Sequence, residues 1–274
     1  MTYKDLVDNN PWVEVADMYE SDDNESLFSS RKQYVCKDDS DVVRMYNEKC
    51  EKDDAKSDKI ITNIPAEPWW GNPLKARLII LSLNPGFVPE VNEKLAKLMQ
   101  SNDILRKQLM EFKANTLRLR EESFLPQEDD TQPISCRDAV NMLGDWYWHR
   151  MLKQLKSDVG IGDDEFYKQV ALVEYCGYSS ITAKRKLPKN EEVNSNSTHV
   201  FLKKMMEYIV TERKKDVKLL VMRSVQLWNE ILDFEKHKDI ILYRKTGSRS
   251  QYITKNNLQD GHYDILKHFM QHGK

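Results

Sequence analysis

The stretch that decides the fold is Trp69-Trp70-Gly71-Asn72-Pro73-Leu74-Lys75-Ala76-Arg77-Leu78-Ile79-Ile80-Leu81-Ser82-Leu83-Asn84-Pro85-Gly86-Phe87. Residues 78–83 form an almost unbroken apolar run, which is typical of a strand buried on both faces. The strand must end at Asn84, because Pro85 cannot donate to a strand ladder and Gly86 permits a sharp turn. Ligands of open α/β sheets bind at the carboxyl ends of such strands. Asn84 is therefore a candidate reactive residue.

Three further apolar runs, residues 170–176, 217–222 and 240–243, alternate with helical patterns along the chain. This alternation predicts an α/β fold, a three-layer α/β/α sandwich with a central four-stranded parallel sheet. The carboxyl ends of parallel strands lie along one edge of a sheet. We therefore expect the polar residues that follow the four strands to converge there, namely Asn84, Ser179, Arg223 and Arg249.

The chain entering the first strand carries two adjacent tryptophans, Trp69 and Trp70. Adjacent side chains of an extended chain point to opposite sides. One ring can therefore fill the core while the other, assigned to Trp70, faces the site. An interpretation with both rings in the core fits the sequence equally well.

Charge and composition suggest two regions. Residues 1–64 are acidic and irregular, which predicts an N-terminal extension docked on an α/β domain of residues 65–274. The net charge is −2, yet residues 181–274 carry 19 Lys and Arg against 11 Asp and Glu. A basic C-terminal part suits a polyanion such as nucleic acid. On charge alone, the simpler interpretation is a solvated lysine-rich surface.

Several functional classes lack their sequence signatures. The glycine-rich fingerprints of dinucleotide and P-loop proteins are absent, and so is the G-x-S-x-G turn of many serine hydrolases. The four cysteines are widely spaced without a C-x-x-C pair, which gives no support to a zinc or iron–sulfur site. Neither a signal peptide nor an apolar run of about 20 residues is visible. We expect a cytoplasmic protein without cofactor, metal or membrane anchor.

The segment Leu81-Ser82-Leu83-Asn84-Pro85-Gly86-Phe87 resembles the first catalytic motif of the uracil-DNA glycosylase superfamily. It is nearest the mismatch-specific thymine/uracil branch, in which a strand ends in Gly-(Ile/Met)-Asn-Pro-Gly. The α/β order and a basic loop after the last strand also fit that superfamily, over roughly residues 65–270. The resemblance implies an enzyme that flips a base out of DNA and hydrolyses its N-glycosidic bond, with Asn84 holding the attacking water.

The resemblance also implies roles for further residues. Backbone amides near Gly86 and Phe87 would bind a carbonyl of the base, and the ring of Phe87 would stack on it. Residues 248–252 take the place of the second motif, where Arg249 or Tyr252 would enter the duplex. The base-binding residues are expected to be Trp70, Pro85, Gly86, Phe87 and Tyr178. The DNA-binding residues are expected to be Ser179, Arg223, Ser224, Ser248, Arg249, Ser250, Gln251 and Tyr252.

The sequence departs from the superfamily pattern in two places. The His-Pro-Ser type of second motif is absent, and Ser82 stands where the branch has glycine. We therefore expect a substrate other than uracil. The superfamily includes bacterial defence enzymes that excise modified bases, such as glucosylated hydroxymethylcytosine, from phage DNA. Insertions at residues 91–136 and 181–196 could form a roomier pocket for such a base.

Alternatives stay open. Asn84 could cap the helix that follows its turn, which is a common position for Asn. The chain could also be a catalytically inactive DNA-binding module on the same fold. A third possibility is an enzyme that acts on a free nucleotide at the same edge of the sheet.

Overall fold

The computed structural model describes residues 1–20, 33–121, 123, 125–126, 134–144, 148–181, 197–248, 250 and 252–272. Contacts divide the chain into two compact units. The first unit combines Met1–Trp69, Leu83–Arg120 and Glu174–Met205, and the second combines Trp70–Ser82, Glu121–Val173 and Met206–Lys274. Residues 1–64 thus belong to a unit that also contains later parts of the chain.

The described residues form one sheet of five strands. In chain order the strands are β1 (Trp69–Trp70), β2 (Leu78–Ser82), β3 (Val170–Glu174), β4 (Lys218–Val221) and β5 (Ile241–Tyr243), and their order in the sheet is β1-β3-β2-β4-β5. Strand β2 pairs with β4 and β4 pairs with β5, both in parallel. The α/β class is confirmed, whereas the three-layer arrangement stays a prediction.

The sheet has one strand more than the sequence predicted. The four apolar runs all form strands, and the additional strand β1 consists of two residues at the sheet edge. Periodicity cannot reveal so short a strand, because the patterns that identify strands need about four residues. All residues of β2 and β3 are buried, which explains why both read as continuous apolar runs.

Helices make up much of the rest. They are α1 (Tyr3–Asp8), α2 (Trp12–Glu20), α3 (Ser40–Lys52), α4 (Pro89–Ser101), α5 (Asp103–Leu117), α6 (Cys136–Gly144), α7 (Trp148–Val159), α8 (Asp163–Lys168), α9 (Ser197–Glu212), α10 (Val225–Leu232) and α11 (His262–His272). The apolar residues of the segment 91–122 recur at helical spacing, which predicts one or two helices, and the structure has two there, α4 and α5. Within the parts of the chain that are described, none of the helices is long and apolar enough to cross a membrane.

The N-terminal segment contributes buried side chains to the first unit. Helix α2 packs against α5 and buries Trp12, Val15 and Tyr19. The guanidinium of Arg118 forms ion pairs with Asp17 and Glu20 of α2, at 2.5 Å each. The apolar face of α2 therefore docks the start of the N-terminal segment on a helix that is distant in the chain.

The second unit is built around β2, β4 and β5. Trp228 of α10 is fully buried, and its indole Nε1 donates to the carbonyl of Ser82 at 2.7 Å. Helix α11 packs against α7. The Arg77 guanidinium stacks on the Phe269 ring at 4.6 Å, which links the start of β2 to α11. The Trp228 hydrogen bond holds Ser82, the last residue of β2, from which the chain continues to Asn84.

Candidate functional site

The turn after β2 places Asn84 directly beyond the buried strand, with its side chain partly exposed. Helix α4 begins at Pro89 and its N-cap residue is Val88. Asn84 therefore does not cap the following helix, and that alternative is wrong. The side-chain amide of Asn84 therefore makes contacts other than helix capping.

The side-chain amide of Asn84 is fixed by two hydrogen bonds that its nitrogen donates. Nδ2 donates to the hydroxyl of Ser180 at 2.9 Å and to the carbonyl of Pro85 at 3.2 Å. A backbone carbonyl can only accept, so the nitrogen rather than the oxygen of the amide must face it. Asn84 Oδ1 receives no hydrogen bond from any residue within the described ranges. The turn therefore presents one fixed hydrogen-bond acceptor.

Backbone pairing joins the turn after β2 to the turn after β3. Gly86 and Ser180 form a parallel bridge, in which the amide of Phe87 donates to Ser180 at 3.3 Å and the amide of Ser180 donates to Pro85 at 3.4 Å. The Phe87 amide is thus occupied and does not bind a base carbonyl in this arrangement. Of the two backbone amides predicted to bind a carbonyl of the base, only that of Gly86 remains a candidate.

Space is open in front of this turn. Gly86 is exposed, and a Cβ added there would meet no atom of the described chain within 4 Å. Phe87 is partly exposed and Pro85 is buried. A planar ligand can therefore approach the backbone at Gly86 beside the Phe87 ring. The predicted base contacts of all three residues stay predictions.

The turn after β3 is buried, unlike its neighbour. Tyr178 is 3% exposed, and its hydroxyl donates to Asp39 Oδ2 at 2.8 Å while it accepts from the amide of Cys36 at 3.3 Å. Burial raises the pKa of Tyr178 far above its ordinary value, which keeps the hydroxyl protonated and donating. Its ring packs on Trp12 with a centroid distance of 5.1 Å. These contacts give Tyr178 a bracing role, and its predicted contact with a base stays a prediction.

Asp39 is the centre of this bracing cluster. Its carboxylate is fully buried and also accepts from the amide of Ser197, from the hydroxyl of Ser197 and from the hydroxyl of Thr198, at 3.0, 3.1 and 2.6 Å. A buried carboxylate is tolerated only when donors surround it. Asp39 therefore ties the turn after β3 to the start of α9.

Two residues of this arrangement were missed in the sequence. Asp39 lies among many acidic residues, and nothing local distinguishes it from a solvated carboxylate. Ser180 had a usable signal, because it ends the turn after the neighbouring parallel strand. Ser179, which was predicted to bind DNA, is buried, and its carbonyl accepts from the amide of Ile61 at 2.9 Å.

The tryptophans of β1 are both buried. Trp70 is 5% exposed, which favours the interpretation that both rings belong to the core. Trp69 donates through Nε1 to the carbonyl of Thr116 at 2.7 Å. Trp69 also lines a small pocket of the first unit with Tyr178 and Glu174. That pocket has room for about one water molecule, so it does not accommodate a nucleobase.

In the second unit, Arg223 and Ser224 follow β4. Both are partly exposed, and Arg223 makes no ion pair within the described part of the chain. Ser224 adopts a φ of 56°, and as the N-cap residue of α10 its hydroxyl makes no capping hydrogen bond. A cation and a serine hydroxyl thus follow the end of a second strand.

Polar side chains of the loop after β5 form hydrogen bonds within the loop. Asn257 Nδ2 donates to the hydroxyl of Ser250 at 2.8 Å and to the carbonyl of Tyr252 at 3.1 Å, and Ser248 donates to Asn257 Oδ1 at 3.4 Å. The structure therefore gives Asn257 a role within the turn. The Tyr252 side chain is 37% exposed and accessible to a partner.

The predicted site residues fall into two groups. Asn84, Pro85, Gly86, Phe87, Tyr178 and Ser179 lie in the first unit, whereas Trp70, Arg223, Ser224, Ser248, Ser250 and Tyr252 lie in the second. Arg249 and Gln251 lie outside the described residues. The convergence of the two groups stays a prediction.

Metal and thiol chemistry each require a particular arrangement of side chains. Across the described residues, no group of three or more His, Cys, Asp or Glu side chains could hold a metal ion. The four cysteines are free thiols. Burial raises the pKa of Cys176, the cysteine closest in sequence to Ser180, to about 12. Its thiol is therefore neutral at physiological pH and is not an activated nucleophile.

Comparison with known proteins identifies no relative: no family model, no curated protein and no solved structure matches this chain.

Proposed function

We propose that this protein is a DNA base glycosylase in which Asn84 holds the attacking water. The observation that carries the proposal is the fixed amide of Asn84. Its nitrogen is bound to Ser180 and Pro85 at the end of a buried strand, and its Oδ1 is left as an acceptor. Water is the donor that such an acceptor would orient toward a sugar.

The chemistry suits an amide. The bond between C1′ and the base nitrogen breaks through an oxocarbenium-like sugar, as in glycoside hydrolysis. The bonding electrons leave with the base, the water oxygen bonds to C1′, and the proton lost by the water balances the charge of the base. A cationic sugar needs an oriented water more than a strong base, which is why an uncharged acceptor suffices.

The open space at Gly86 would receive the flipped base. A Cβ at this position would meet nothing within 4 Å, and the partly exposed Phe87 ring lies next to it in the chain. Flipping costs a few kcal/mol, which contacts with the extruded base must offset. We propose a modified or mismatched base as the substrate, with modified cytosine of phage DNA as one candidate.

Phosphate contacts are proposed for residues that follow β4 and β5. Arg223 is partly exposed without an ion-pair partner in the described chain, and Ser224 carries a hydroxyl that does not cap α10. Tyr252 is the described candidate for entry into the duplex, since the other candidate, Arg249, is not described. The hydroxyls of Ser248 and Ser250 would have to exchange partners to bind phosphate.

The free thiols fit a reducing compartment, and we place the protein in the cytoplasm.

A base-release assay tests the proposal. The wild-type protein is incubated with duplexes that contain uracil, a thymine mismatch, hydroxymethylcytosine or its glucosylated form, and abasic sites are detected by cleavage with alkali. We expect release from one modified or mismatched base. An absence of release from all four, together with salt-sensitive DNA binding, would favour the inactive binding module. Weak DNA binding with a shallow salt dependence would favour a small-nucleotide enzyme.

A further inference from the structure

We propose that Ser180 is a positioning residue that restrains the Asn84 amide in the orientation set by the Pro85 carbonyl, and that the N-terminal segment braces Ser180 for this purpose. The inference rests on the proposed function and adds to it. It assigns a role to a residue outside the resemblance and to a segment that looked like a surface extension.

Ser180 is connected to the Asn84 turn at three points. Its hydroxyl accepts from Asn84 Nδ2 at 2.9 Å, its amide donates to Pro85 at 3.4 Å, and its carbonyl accepts from Phe87 at 3.3 Å. The side chain is 5% exposed. The two backbone contacts hold the serine in register, so that its hydroxyl meets the amide nitrogen.

The Pro85 carbonyl selects the orientation of the amide, and the Ser180 hydroxyl restrains it. A rotation of the Asn84 amide by about 180° would place Oδ1 against the carbonyl of Pro85, where two acceptors repel each other. The Ser180 hydroxyl could accept from Nδ2 or donate to Oδ1, so its contribution is a second hydrogen bond that limits the motion of the side chain. Without that hydroxyl, the nitrogen keeps only the Pro85 contact at 3.2 Å. The acceptor would then hold water for a smaller fraction of the time.

The brace behind Ser180 comes from residues 33–67. The amide of Ile61 donates to Ser179 at 2.9 Å and the amide of Glu67 donates to Gly177 at 2.9 Å. The buried Asp39 carboxylate holds the hydroxyl of Tyr178 at 2.8 Å. Three consecutive residues before Ser180 are thus fixed by the N-terminal segment, which limits how far Ser180 can move from Asn84.

The test uses full-length Ser180→Ala, Ser180→Thr and a control, Ser101→Ala. Ser101 also donates a hydroxyl hydrogen bond, to Leu98 at 2.9 Å, but it lies on the exposed end of α4. Three quantities are measured for each variant: the single-turnover rate of base release, the Kd for uncleaved substrate DNA, and the hydrogen exchange of the Asn84 side-chain amide by NMR. The amide resonances are assigned by their loss in Asn84→Ala.

We expect Ser180→Ala to lower the single-turnover rate on the order of 10- to 100-fold, the range that follows from a misplaced reacting group. Its Kd should stay unchanged, and its Asn84 amide should exchange faster. Ser180→Thr retains the hydroxyl and should recover most of the rate, and Ser101→Ala should match the wild type. A Ser180→Ala protein with wild-type rate and wild-type amide exchange would overturn the inference.

The NMR measurement separates the two proposals. If the wild type releases no base but Ser180→Ala loosens the Asn84 amide, the proposed function fails and the positioning of the amide stands. If the wild type releases base and Ser180→Ala does so equally fast, the positioning role fails and the proposed function stands. A Ser180→Ala variant whose DNA affinity falls in proportion to its rate would also overturn the role, because the serine would then contribute to binding.

Discussion

The turns after β2 and β3 are joined by backbone pairing, yet they differ in what they leave for a ligand. The turn after β2 exposes Gly86 and leaves Asn84 Oδ1 as an acceptor. In the turn after β3, all four residues from Gly177 to Ser180 are buried. One turn thus retains a polar atom and open space, while the other has little accessible surface.

If Asn84 acts as proposed, a turn that offers a hydrogen-bond acceptor to a ligand is supported by a neighbouring turn whose polar groups are satisfied within the fold. The Tyr178 hydroxyl is satisfied within the fold by Asp39 and Cys36. Ser180, which follows Tyr178 in the same turn, makes the hydrogen bonds that connect this turn to Asn84 and its neighbours. A buried hydrogen-bond network of this kind is costly to disturb, so the two turns should respond differently to equivalent substitutions.

The largest difference is expected between two glycines. A Cβ on Gly177 would lie 2.6 Å from the Trp12 ring and 2.7 Å from Pro68, whereas a Cβ on Gly86 would meet nothing within 4 Å of the described chain. We expect Gly177→Ala to lower the free energy of unfolding by about 1–3 kcal/mol, and Gly86→Ala by less than about 0.5 kcal/mol. Urea denaturation measures both. Equal losses would contradict the contrast between the turns.

The next effect concerns the hydroxyl of Tyr178. Tyr178→Phe keeps the ring against Trp12 but removes a donor from the buried Asp39 carboxylate, which should destabilise the fold by about 1–3 kcal/mol. Tyr3→Phe is the control, because Tyr3 is exposed. Thermal unfolding with calorimetry compares them. A Tyr178→Phe protein as stable as the control would show that Asp39 does not depend on this bond.

The side-chain hydrogen bonds of Asn257 join residues of one loop, whereas those of Tyr178 join segments that are distant in sequence. The loop after β5 therefore tests whether local hydrogen bonds stabilise the fold less than long-range ones. Asn257→Ala removes three hydrogen bonds from a partly exposed site, and we expect a loss of about 1 kcal/mol. The neighbouring Asn256 is exposed, so Asn256→Ala serves as the control. Denaturant midpoints give the comparison. A loss larger than that of Tyr178→Phe would reverse the expected order.

The smallest effect on stability is expected at Arg223. Replacement by Ala should leave the free energy of unfolding within about 0.5 kcal/mol of the wild type. It should also reduce the slope of log affinity against log salt by about 0.9, as expected for one lost phosphate contact. Arg44→Ala is the control, since Arg44 pairs with Asp41 and Glu48 in α3. An unchanged salt slope in Arg223→Ala would remove this arginine from the DNA interface.

The sequence was most informative where burial dictates a pattern. The apolar runs that became β2 and β3 were visible because both strands are buried throughout. The end of β2 at Asn84 followed from Pro85 and Gly86. Strand β1 could not be predicted, because a strand of two residues is too short to show the alternation of apolar and polar residues that identifies strands.

Long-range hydrogen bonds could not be predicted from the sequence. The contact between Asn84 and Ser180 spans 96 residues, and that between Asp39 and Tyr178 spans 139. Such contacts depend on the register of strands and on the packing of distant segments, neither of which has a local signature. For the same reason the polar residues after β5 were predicted to contact DNA, although the fold pairs Ser248 and Ser250 with Asn257.

The central claim, that Asn84 holds the water that attacks the sugar, is tested most directly by single-turnover kinetics of Asn84→Ala on the best modified substrate. The partly exposed side chain contributes little to packing, so the variant should fold and bind DNA with a Kd close to that of the wild type. We predict that its rate of base release falls on the order of 100-fold. A variant that releases base at the wild-type rate would contradict the account, because the water would then be held elsewhere.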